Sequence, residues 1–194
     1  MGRDKRLVKE LLAIGRKIDK CSLVIGEGGN ISARMGDRVY IKRRNASMAV
    51  ARAADYIAID VNTGKPLSSK GLPSTEVPMH LACYGARKDI GAVIHTHPVF
   101  VTTLGVSGIN FDSLSYEAQV YLKSDIAAIP YITPGSRKLG AAVGSAIKKH
   151  NAVILKQHGL ITVGKDIKEA FLRTLALERA AMIYIFCKVL GKNL

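Results

Sequence analysis

Two histidines stand two residues apart at the end of an apolar run, in the segment Ala92-Val93-Ile94-His95-Thr96-His97-Pro98. In an extended strand, residues i and i+2 point to the same face, so both imidazoles could approach one metal ion. Proline cannot donate to a strand ladder, so Pro98 predicts the end of the strand and leaves both rings at its open end. A third ligand must come from elsewhere, and His158, after the apolar run Ala152–Leu155, is the candidate. Three histidines with an open fourth position are typical of a catalytic zinc centre.

These three histidines could instead be ordinary hydrogen-bonded groups of the core or the surface. Buried polar groups need partners, and three imidazoles brought together would be costly to bury without an ion. We therefore expect His95, His97 and His158 to bind a divalent metal. The other two histidines, His80 and His150, fall in predicted helices, where we expect His150 to interact with a helix C-terminus.

Glu76 lies in a segment that leads directly into the histidine strand. Ser74 is a favourable N-cap residue, and the pattern predicts a helix from Ser74 to about Ala86 with Glu76 in its first turn. An acidic residue at that position can simply stabilise the helix dipole. Beside a metal ion, the same carboxylate could act as a general acid or base, because the ion and burial set its pKa.

Two segments could bind an anion such as phosphate. The stretch Gly26-Glu27-Gly28-Gly29-Asn30 can expose successive backbone N–H groups, although it lacks the strand–loop–helix context of a dinucleotide site. A plain connecting loop is the alternative for this stretch. Ser74 and Thr75 stand at a predicted helix N-terminus, where negative charge is favoured.

Hydrophobic periodicity and turn residues predict the elements that position these groups. We expect helices at residues 4–19, 74–86, from about 102, around Tyr116, at 140–150 and from Asp166 to Gly191. Asp166 and Glu169 resemble a capping box at the start of the last helix. We expect strands at residues 31–34, 38–42, 56–60, 92–97, 128–132, 152–156 and 160–163. Because hairpins alternate irregularly with helices, we expect an α/β fold with a central mixed or antiparallel sheet between helical layers.

The length and composition indicate one globular domain. With 194 residues, the chain is most simply a single domain over residues 1–194. No apolar run approaches the ~18 residues of a membrane span, and the N-terminus predicts an amphipathic helix rather than a signal peptide. The three cysteines form no C-x-x-C pair, so we expect a reduced, cytoplasmic compartment.

The formal net charge of +14 raises the question of nucleic-acid binding. Only Lys42-Arg43-Arg44 forms a tight basic run, without interleaved aromatic residues or a recognised nucleic-acid motif. Basic residues spread over solvated faces also increase the association rate of an anionic small molecule. We therefore expect a small anionic substrate as the partner, rather than a nucleic acid or a membrane.

In this order along the chain, the motifs resemble the class II aldolase/adducin family over nearly the whole sequence. The matching motifs are Gly29-Asn30-Ile31-Ser32-Ala33-Arg34, Ser74-Thr75-Glu76 with His80, His95-Thr96-His97-Pro98 and Gln157-His158-Gly159. Each motif alone is weakly specific, whereas the set in register is highly specific. The resemblance implies a three-layer α/β/α sandwich around a mostly antiparallel sheet, assembled as a homotetramer with sites between subunits.

The resemblance also implies roles for individual residues. The family's metal ligands for Zn²⁺ (or Mn²⁺ or Co²⁺) correspond to His95, His97 and His158. Glu76 corresponds to a fourth ligand when substrate is absent. The family's phosphate-binding positions correspond to Gly29, Asn30, Ser74 and Thr75. Tyr116 is in register with a tyrosine donated by a neighbouring subunit, although its local sequence is equally typical of packing.

The implied activity is reversible, metal-dependent aldol cleavage of a ketose 1-phosphate to dihydroxyacetone phosphate and an aldehyde through a metal-stabilised enediolate. Glu76 would shuttle the proton at the nucleophilic carbon, and Tyr116 would protonate the aldehyde oxygen. Two alternatives use the same scaffold: a methylthioribulose-1-phosphate-type dehydratase and a ribulose-phosphate 4-epimerase, which usually has Asp in place of Glu76. A non-catalytic adducin-like scaffold is disfavoured, since such relatives lose the metal histidines.

Two features depart from the family pattern and leave the exact sugar open. After the first hairpin, where the family usually has a Thr-Pro-Thr-Gly-like phosphate loop, this chain has Lys42-Arg43-Arg44-Asn45-Ala46-Ser47. The change could strengthen phosphate binding through arginine or mark a different substrate. The chain also ends at Leu194, soon after the last predicted helix. We therefore expect it to lack the mobile C-terminal tail that supplies another tyrosine in some relatives.

Overall fold

The computed structural model describes residues 2–69, 71–108, 115–122 and 126–192, so the C-terminal Leu194 lies outside the described residues. The described parts of the chain form seven strands and six α-helices. The strands are β1 Asn30–Met35, β2 Arg38–Lys42, β3 Tyr56–Asp60, β4 Ala92–Thr96, β5 Ile126–Ile129, β6 Ala152–Leu155 and β7 Gly159–Gly164. The helices are α1 Arg3–Lys20, α2 Val77–Ala86, α3 Val99–Ser107, α4 Tyr116–Leu122, α5 Arg137–Ile147 and α6 Ile167–Val189.

One sheet contains all seven strands, in the order β3-β2-β1-β4-β7-β6-β5. Every neighbouring pair is antiparallel except β5 and β6, which are parallel. The histidine strand β4 lies in the middle, and its register pairs His95 with Asn30 on one side and with Ile161 on the other. The predicted, mostly antiparallel sheet is confirmed, with the histidines at its centre.

Helices cover both faces of the sheet. Helices α2 and α5 pack on one face, where Met79, Cys83 and Val143 share a buried apolar cluster with Val93 of β4. Helices α1 and α6 pack on the opposite face, against Ile94 and its neighbours. Helix α3 completes that second layer against α6. The three-layer α/β/α sandwich is therefore confirmed, and strand alternation turns His95 towards the α2 face.

Helix α2 begins later than predicted, and the prediction that Ser74 caps it is wrong. The helix starts at Val77, so Glu76 occupies the N-cap position instead of the first turn. Ser74 Oγ accepts a hydrogen bond from the Glu76 backbone N–H at 3.2 Å, which forms a turn just before the helix. Helix α2 carries Pro78 in its first turn, where a missing N–H costs nothing. Glu76 therefore lies at the N-terminal end of the helix.

Three other boundaries differ from the predictions. Helix α3 begins directly after Pro98 rather than near residue 102, since the Glu178 carboxylate of α6 accepts the N–H groups of Phe100 (3.0 Å) and Val101 (2.9 Å). Ser136 caps α5, which starts at Arg137, three residues before the predicted start at residue 140. Strand β5 ends at Ile129, not at residue 132. The Glu178 contacts join α3 to a helix far along the chain, so local periodicity does not reveal them.

The start of the last helix follows its sequence signal. Asp166 accepts hydrogen bonds from the backbone N–H groups of Lys168 (3.0 Å) and Glu169 (2.9 Å). Beyond the helix end at Val189, Gly191 adopts a positive φ of 73°, as a C-terminal glycine commonly does. Among the described residues, no helix is both long enough and apolar enough to cross a membrane.

Candidate metal centre and cleft

Three imidazoles meet at the end of the central strand. His95 lies in β4, His97 follows its last residue, and His158 lies in the turn between β6 and β7. Since β7 pairs with both β4 and β6, that turn is brought beside the end of β4. The ring centroids are 4.7–5.4 Å apart, and one ring nitrogen from each histidine lies within 4.8 Å of the others. The cluster expected from the sequence therefore forms.

Two glycines make this close approach possible. A Cβ atom on Gly159 would lie 2.3 Å from the Thr96 carbonyl oxygen and 2.9 Å from the His97 ring. Gly29 has a positive φ of 61°, and a Cβ atom there would lie 2.7 Å from the His95 carbonyl oxygen. Glycine alone fits both positions without displacing the backbone that carries the histidines.

The protonation state of His95 follows from its partners. Its Nδ1 lies 3.1 Å from the carbonyl oxygen of Leu160, which only accepts, so Nδ1 carries the proton and Nε2 exposes a lone pair. Burial, reinforced by the neighbouring His97 and His158, holds the pKa of His95 well below its usual range. Burial also lowers the pKa of His97 and of His158. Near neutral pH the three rings are therefore neutral, and each can offer a nitrogen lone pair, as metal ligands must.

The atoms around the His95 lone pair fit a cation. Its Nε2 lies 3.1 Å from Glu76 Oε2 and 3.1 Å from His97 Nε2. A carboxylate oxygen and an imidazole lone pair repel each other at this distance unless a positive charge lies between them. Glu76 Oε1, which is buried, has no hydrogen-bond partner among the described residues. Three neutral nitrogens and a carboxylate form a donor set that suits a divalent transition metal.

Glu76 is held at the cluster by the strand next to β4. Asn30 Nδ2 donates to Glu76 Oε2 at 3.0 Å. The other carboxylate oxygen, Oε1, lies 3.9 Å from His158 Nε2. Asn30 and His95 are register partners in the β1–β4 pair, so the sheet itself places the amide beside the metal-binding face.

A cleft of about 230 Å³ opens over the cluster, smaller than the roughly 300–1,000 Å³ of drug-sized sites. Of the residues expected at the site, those lining the cleft are Gly29, Asn30, Ser74, Thr75, Glu76, His97 and His158. The other lining residues are Glu27, Lys42, Arg43, Arg44, Asn45 and Pro134. His95 is buried next to the cleft, at 1% exposure. Tyr116 does not line it and is 78% exposed on α4, so its predicted contribution to a neighbouring subunit stays a prediction.

Lys42 is the main cleft residue whose placement the sequence did not predict. It belongs to a basic run that resembles a solvated surface, yet its side chain is buried and Nζ donates to the carbonyl oxygens of Glu27 (2.7 Å) and Ala46. Burial lowers its pKa to about 8. Position 42 also ends the strand β2, and this strand context is the signal that could have placed the side chain inward. Asn45 takes a positive φ of 58°, a conformation that asparagine tolerates.

Comparison with known proteins identifies the family. The model of the Class II Aldolase and Adducin N-terminal domain matches residues 9–185. The L-fuculose phosphate aldolase of Methanocaldococcus jannaschii is 33% identical over 175 residues, which cover 90% of this chain and 93% of that protein. The 5-deoxy-D-ribulose 1-phosphate aldolase of Bacillus thuringiensis is 31% identical, covering 95% of this chain and 86% of its own. A solved structure of L-fuculose 1-phosphate aldolase aligns with a TM-score of 0.90 at 27% identity, covering 100% of this chain and 92% of that one.

The matched range spans every element that contributes to the histidine cluster. It contains β1, the start of α2, β4 and the β6–β7 turn. The match in sequence and the match in fold therefore cover the same site. The chain belongs to the class II aldolase/adducin family, as an enzyme of the class II aldolase type with a three-histidine cluster suited to a divalent metal.

Proposed function

We propose that the chain is a metal-dependent aldolase that cleaves a ketose 1-phosphate to dihydroxyacetone phosphate and a small aldehyde. The observation that carries the proposal is the Glu76 carboxylate, 3.1 Å from His95 Nε2, at a cleft that also presents anion-binding groups. The names of the relatives support it, since two of them act on L-fuculose phosphate and 5-deoxy-D-ribulose 1-phosphate.

The phosphate would be held in the cleft by groups other than the histidines. Ser74 and Thr75 line it just before α2, where the positive end of the helix dipole favours an anion. Gly29 contributes backbone at the same cleft. Lys42 uses two of its three ammonium donors on carbonyl oxygens, which leaves one donor for a phosphate oxygen. The Arg44 side chain adds a second positive charge.

The chemistry follows from what surrounds the bound sugar. His95, His97 and His158 would hold the cation, which supplies Lewis acidity that stabilises negative charge on an adjacent enediolate. During cleavage the bond between the carbon next to the carbonyl and the hydroxyl-bearing carbon breaks. Glu76 then delivers a proton to the carbon that keeps the electron pair, and in the reverse direction it removes that proton. Its Oε1 is the oxygen available for this transfer, because Asn30 engages Oε2.

The proton on the aldehyde oxygen would come from a second copy of the chain. Tyr116 is exposed at the start of α4 and does not line this chain's own cleft. We propose that the chain forms a homotetramer in which Tyr116 of a neighbouring subunit reaches the cleft. In this arrangement Tyr116 would take the hydroxyl proton during cleavage and return it during synthesis.

The proposed reaction is tested by assaying the zinc-, manganese- or cobalt-loaded chain on four phosphates. L-Fuculose 1-phosphate and 5-deoxyribulose 1-phosphate should release dihydroxyacetone phosphate, measured with a coupled dehydrogenase. Ribulose 5-phosphate tests the epimerase, and methylthioribulose 1-phosphate tests the dehydratase through loss of water. The aldolase proposal would be wrong if neither of the first two sugars released dihydroxyacetone phosphate. Epimerised ribulose 5-phosphate or dehydrated methylthioribulose 1-phosphate would then identify the rival reaction.

Lys42 gives the phosphate site a pH dependence. Because burial lowers its pKa to about 8, the ammonium charge is lost as the pH rises through about 8. A phosphate monoester, with a second pKa of about 6, keeps its charge over the same range. We therefore expect KM for the phosphorylated substrate to rise between pH 7 and 9. At pH 7, Lys42→Met should raise KM by about 10- to 100-fold, the equivalent of one hydrogen bond to a charged group.

The Lys42 prediction is checked by steady-state kinetics across this pH range. In Lys42→Met the KM step should be absent, because no titrating ammonium remains. Lys20→Met, at the exposed end of α1, is the control for loss of one positive charge and should keep the wild-type profile. An equal KM step in Lys42→Met and the wild type would contradict the assignment.

A further inference from the structure

A chain of hydrogen-bonded polar side chains runs through the core from α2 to Glu76. Tyr84 OH lies 2.7 Å from Ser32 Oγ, and Ser32 Oγ lies 2.7 Å from His80 Nδ1. His80 Nε2 contacts Asn30 Oδ1, and Asn30 Nδ2 donates to Glu76 Oε2 at 3.0 Å. None of these five side chains is more than 6% exposed. Burying so many polar groups costs free energy that an apolar core would avoid, which points to a task beyond packing.

The carboxylate sets the direction of the first link. An ionised carboxylate only accepts hydrogen bonds, so the Asn30 amide nitrogen must face Glu76. The Asn30 carbonyl oxygen then faces His80, and it too can only accept. His80 Nε2 must therefore carry the proton that it donates to Asn30 Oδ1.

The rest of the chain follows from the neutral state of His80. Complete burial lowers its pKa to about 3, so the ring holds a single proton near neutral pH. With that proton on Nε2, Nδ1 accepts, and Ser32 Oγ–H must be its donor. The Ser32 oxygen then accepts a hydrogen bond from the Tyr84 hydroxyl. Each link of the chain then has a defined donor and acceptor, and the donation runs from Tyr84 towards Glu76.

We propose that His80 is a positioning residue that fixes Asn30, and through it one oxygen of Glu76. The hydrogen bond from Asn30 makes the two Glu76 carboxylate oxygens different. Oε2 accepts from Asn30, while Oε1 has no hydrogen-bond partner among the described residues. Without His80, the Asn30 amide can rotate by half a turn and present its oxygen to the carboxylate. The carboxylate would then lose its hydrogen bond and its orientation. The inference rests on the proposed role of Glu76 in proton transfer.

The tautomer of His80 is the first test, and it requires no turnover. In the zinc-loaded, ¹⁵N-histidine-labelled chain, His80 should show protonated Nε2 and unprotonated Nδ1. The signal that disappears in His80→Gln identifies the residue. Protonated Nδ1 with unprotonated Nε2 would reverse the polarity of the chain and overturn the inference, whether or not the enzyme is an aldolase.

Kinetics provide the second test. His80→Phe keeps the ring volume but removes both nitrogens, and it should lower kcat by about 10- to 100-fold, as removal of an outer-shell partner typically does. KM and bound zinc should change less than about threefold, because the cleft and the three metal histidines keep their side chains. His80→Gln retains an amide donor and an acceptor, so it should recover much of the lost kcat.

A matched control separates positioning from general damage to the core. Cys83→Ala alters a fully buried residue of the same helix that lies outside the polar chain. Its kcat should stay near the wild-type value even if its melting temperature falls as far as that of His80→Phe. If His80→Phe does not fold, Ser32→Ala, which removes the hydroxyl that donates to His80 Nδ1, should lower kcat in its place and is compared with Cys83→Ala.

The outcomes distinguish this inference from the proposed function. Full kcat in His80→Phe, or an equal loss in Cys83→Ala, would overturn the positioning role while leaving the aldolase intact. If His80→Phe does not fold, full kcat in Ser32→Ala would overturn it as well. Absence of turnover in the wild type on every sugar phosphate would overturn both the proposed function and the positioning role, and the tautomer would then describe core structure alone.

Discussion

Glu76→Gln is expected to abolish most of the turnover while the protein continues to bind its metal. The glutamine keeps an oxygen that can accept from Asn30, whose donor lies 3.0 Å away, so the side chain should stay in place. An amide cannot exchange a proton with carbon as a carboxylate does. Loss of a positioned general acid or base costs roughly 10²–10⁴-fold in rate. We expect kcat to fall within that range.

Three measurements check the Glu76 prediction. Metal content after dialysis should remain close to one ion per chain, because the three histidines are unchanged. Solvent hydrogen exchange into dihydroxyacetone phosphate, measured without aldehyde, should be lost together with cleavage. Glu27→Gln removes another carboxylate that lines the same cleft and should retain turnover within about threefold. Normal hydrogen exchange in Glu76→Gln would refute its role in proton transfer.

His158→Ala is expected to remove the metal and, with it, the activity. His158 is the ligand from the β6–β7 turn. Without it, only His95 in β4 and His97 just after that strand remain. Removal of outer-shell partners already costs 10- to 100-fold in metal affinity, so loss of a direct ligand should cost at least about 100-fold. Metal analysis after dialysis and titration with Zn²⁺ measure this loss.

The fold should survive this substitution, which makes the metal result interpretable. His158 Nδ1 has no hydrogen-bond partner among the described residues, so the alanine variant breaks no bond at that atom. The metal-free variant should therefore melt close to the metal-free wild type. Added zinc should raise the melting temperature of the wild type, since a ligand that binds only the folded state stabilises it, and should leave His158→Ala unchanged. His150→Gln, which lies outside the cluster, should respond as the wild type does. Equal stabilisation of His158→Ala by zinc would place the metal elsewhere.

Local sequence was sufficient where the determining interaction is local. The His95–His97 spacing predicts two rings on one side because strand side chains alternate, and the structure brings the His95 ring of β4 within 4.8 Å of the ring of His97, the residue just after the strand. Asp166 predicts a helix start because its carboxylate reaches backbone N–H groups two and three residues ahead. The three-layer fold followed from the pattern of apolar segments together with a resemblance over nearly the whole chain.

Tertiary structure decided the features that depend on distant partners. Ser74 fails to cap α2 because the helix starts only at Val77, and the Ser74 hydroxyl oxygen accepts from the Glu76 backbone N–H in the turn before it. Lys42 is buried because two carbonyl oxygens, one of them 15 residues earlier, accept its protons. His80 has the sequence context of an ordinary helical residue, and only the packing of α2 on β1 links it to Asn30.

The amino-acid sequence by itself determined which groups could bind a metal and which strand would carry two of them. The pairing of β1, β4 and β7 decided that Asn30, His95 and the turn holding His158 share one end of the sheet. The physical reason is that hydrogen bonding and alternation act between near neighbours, whereas the positions of lone pairs from separate segments depend on strand register. Register is set by burial of the whole sheet between two helical layers, and no single segment encodes it.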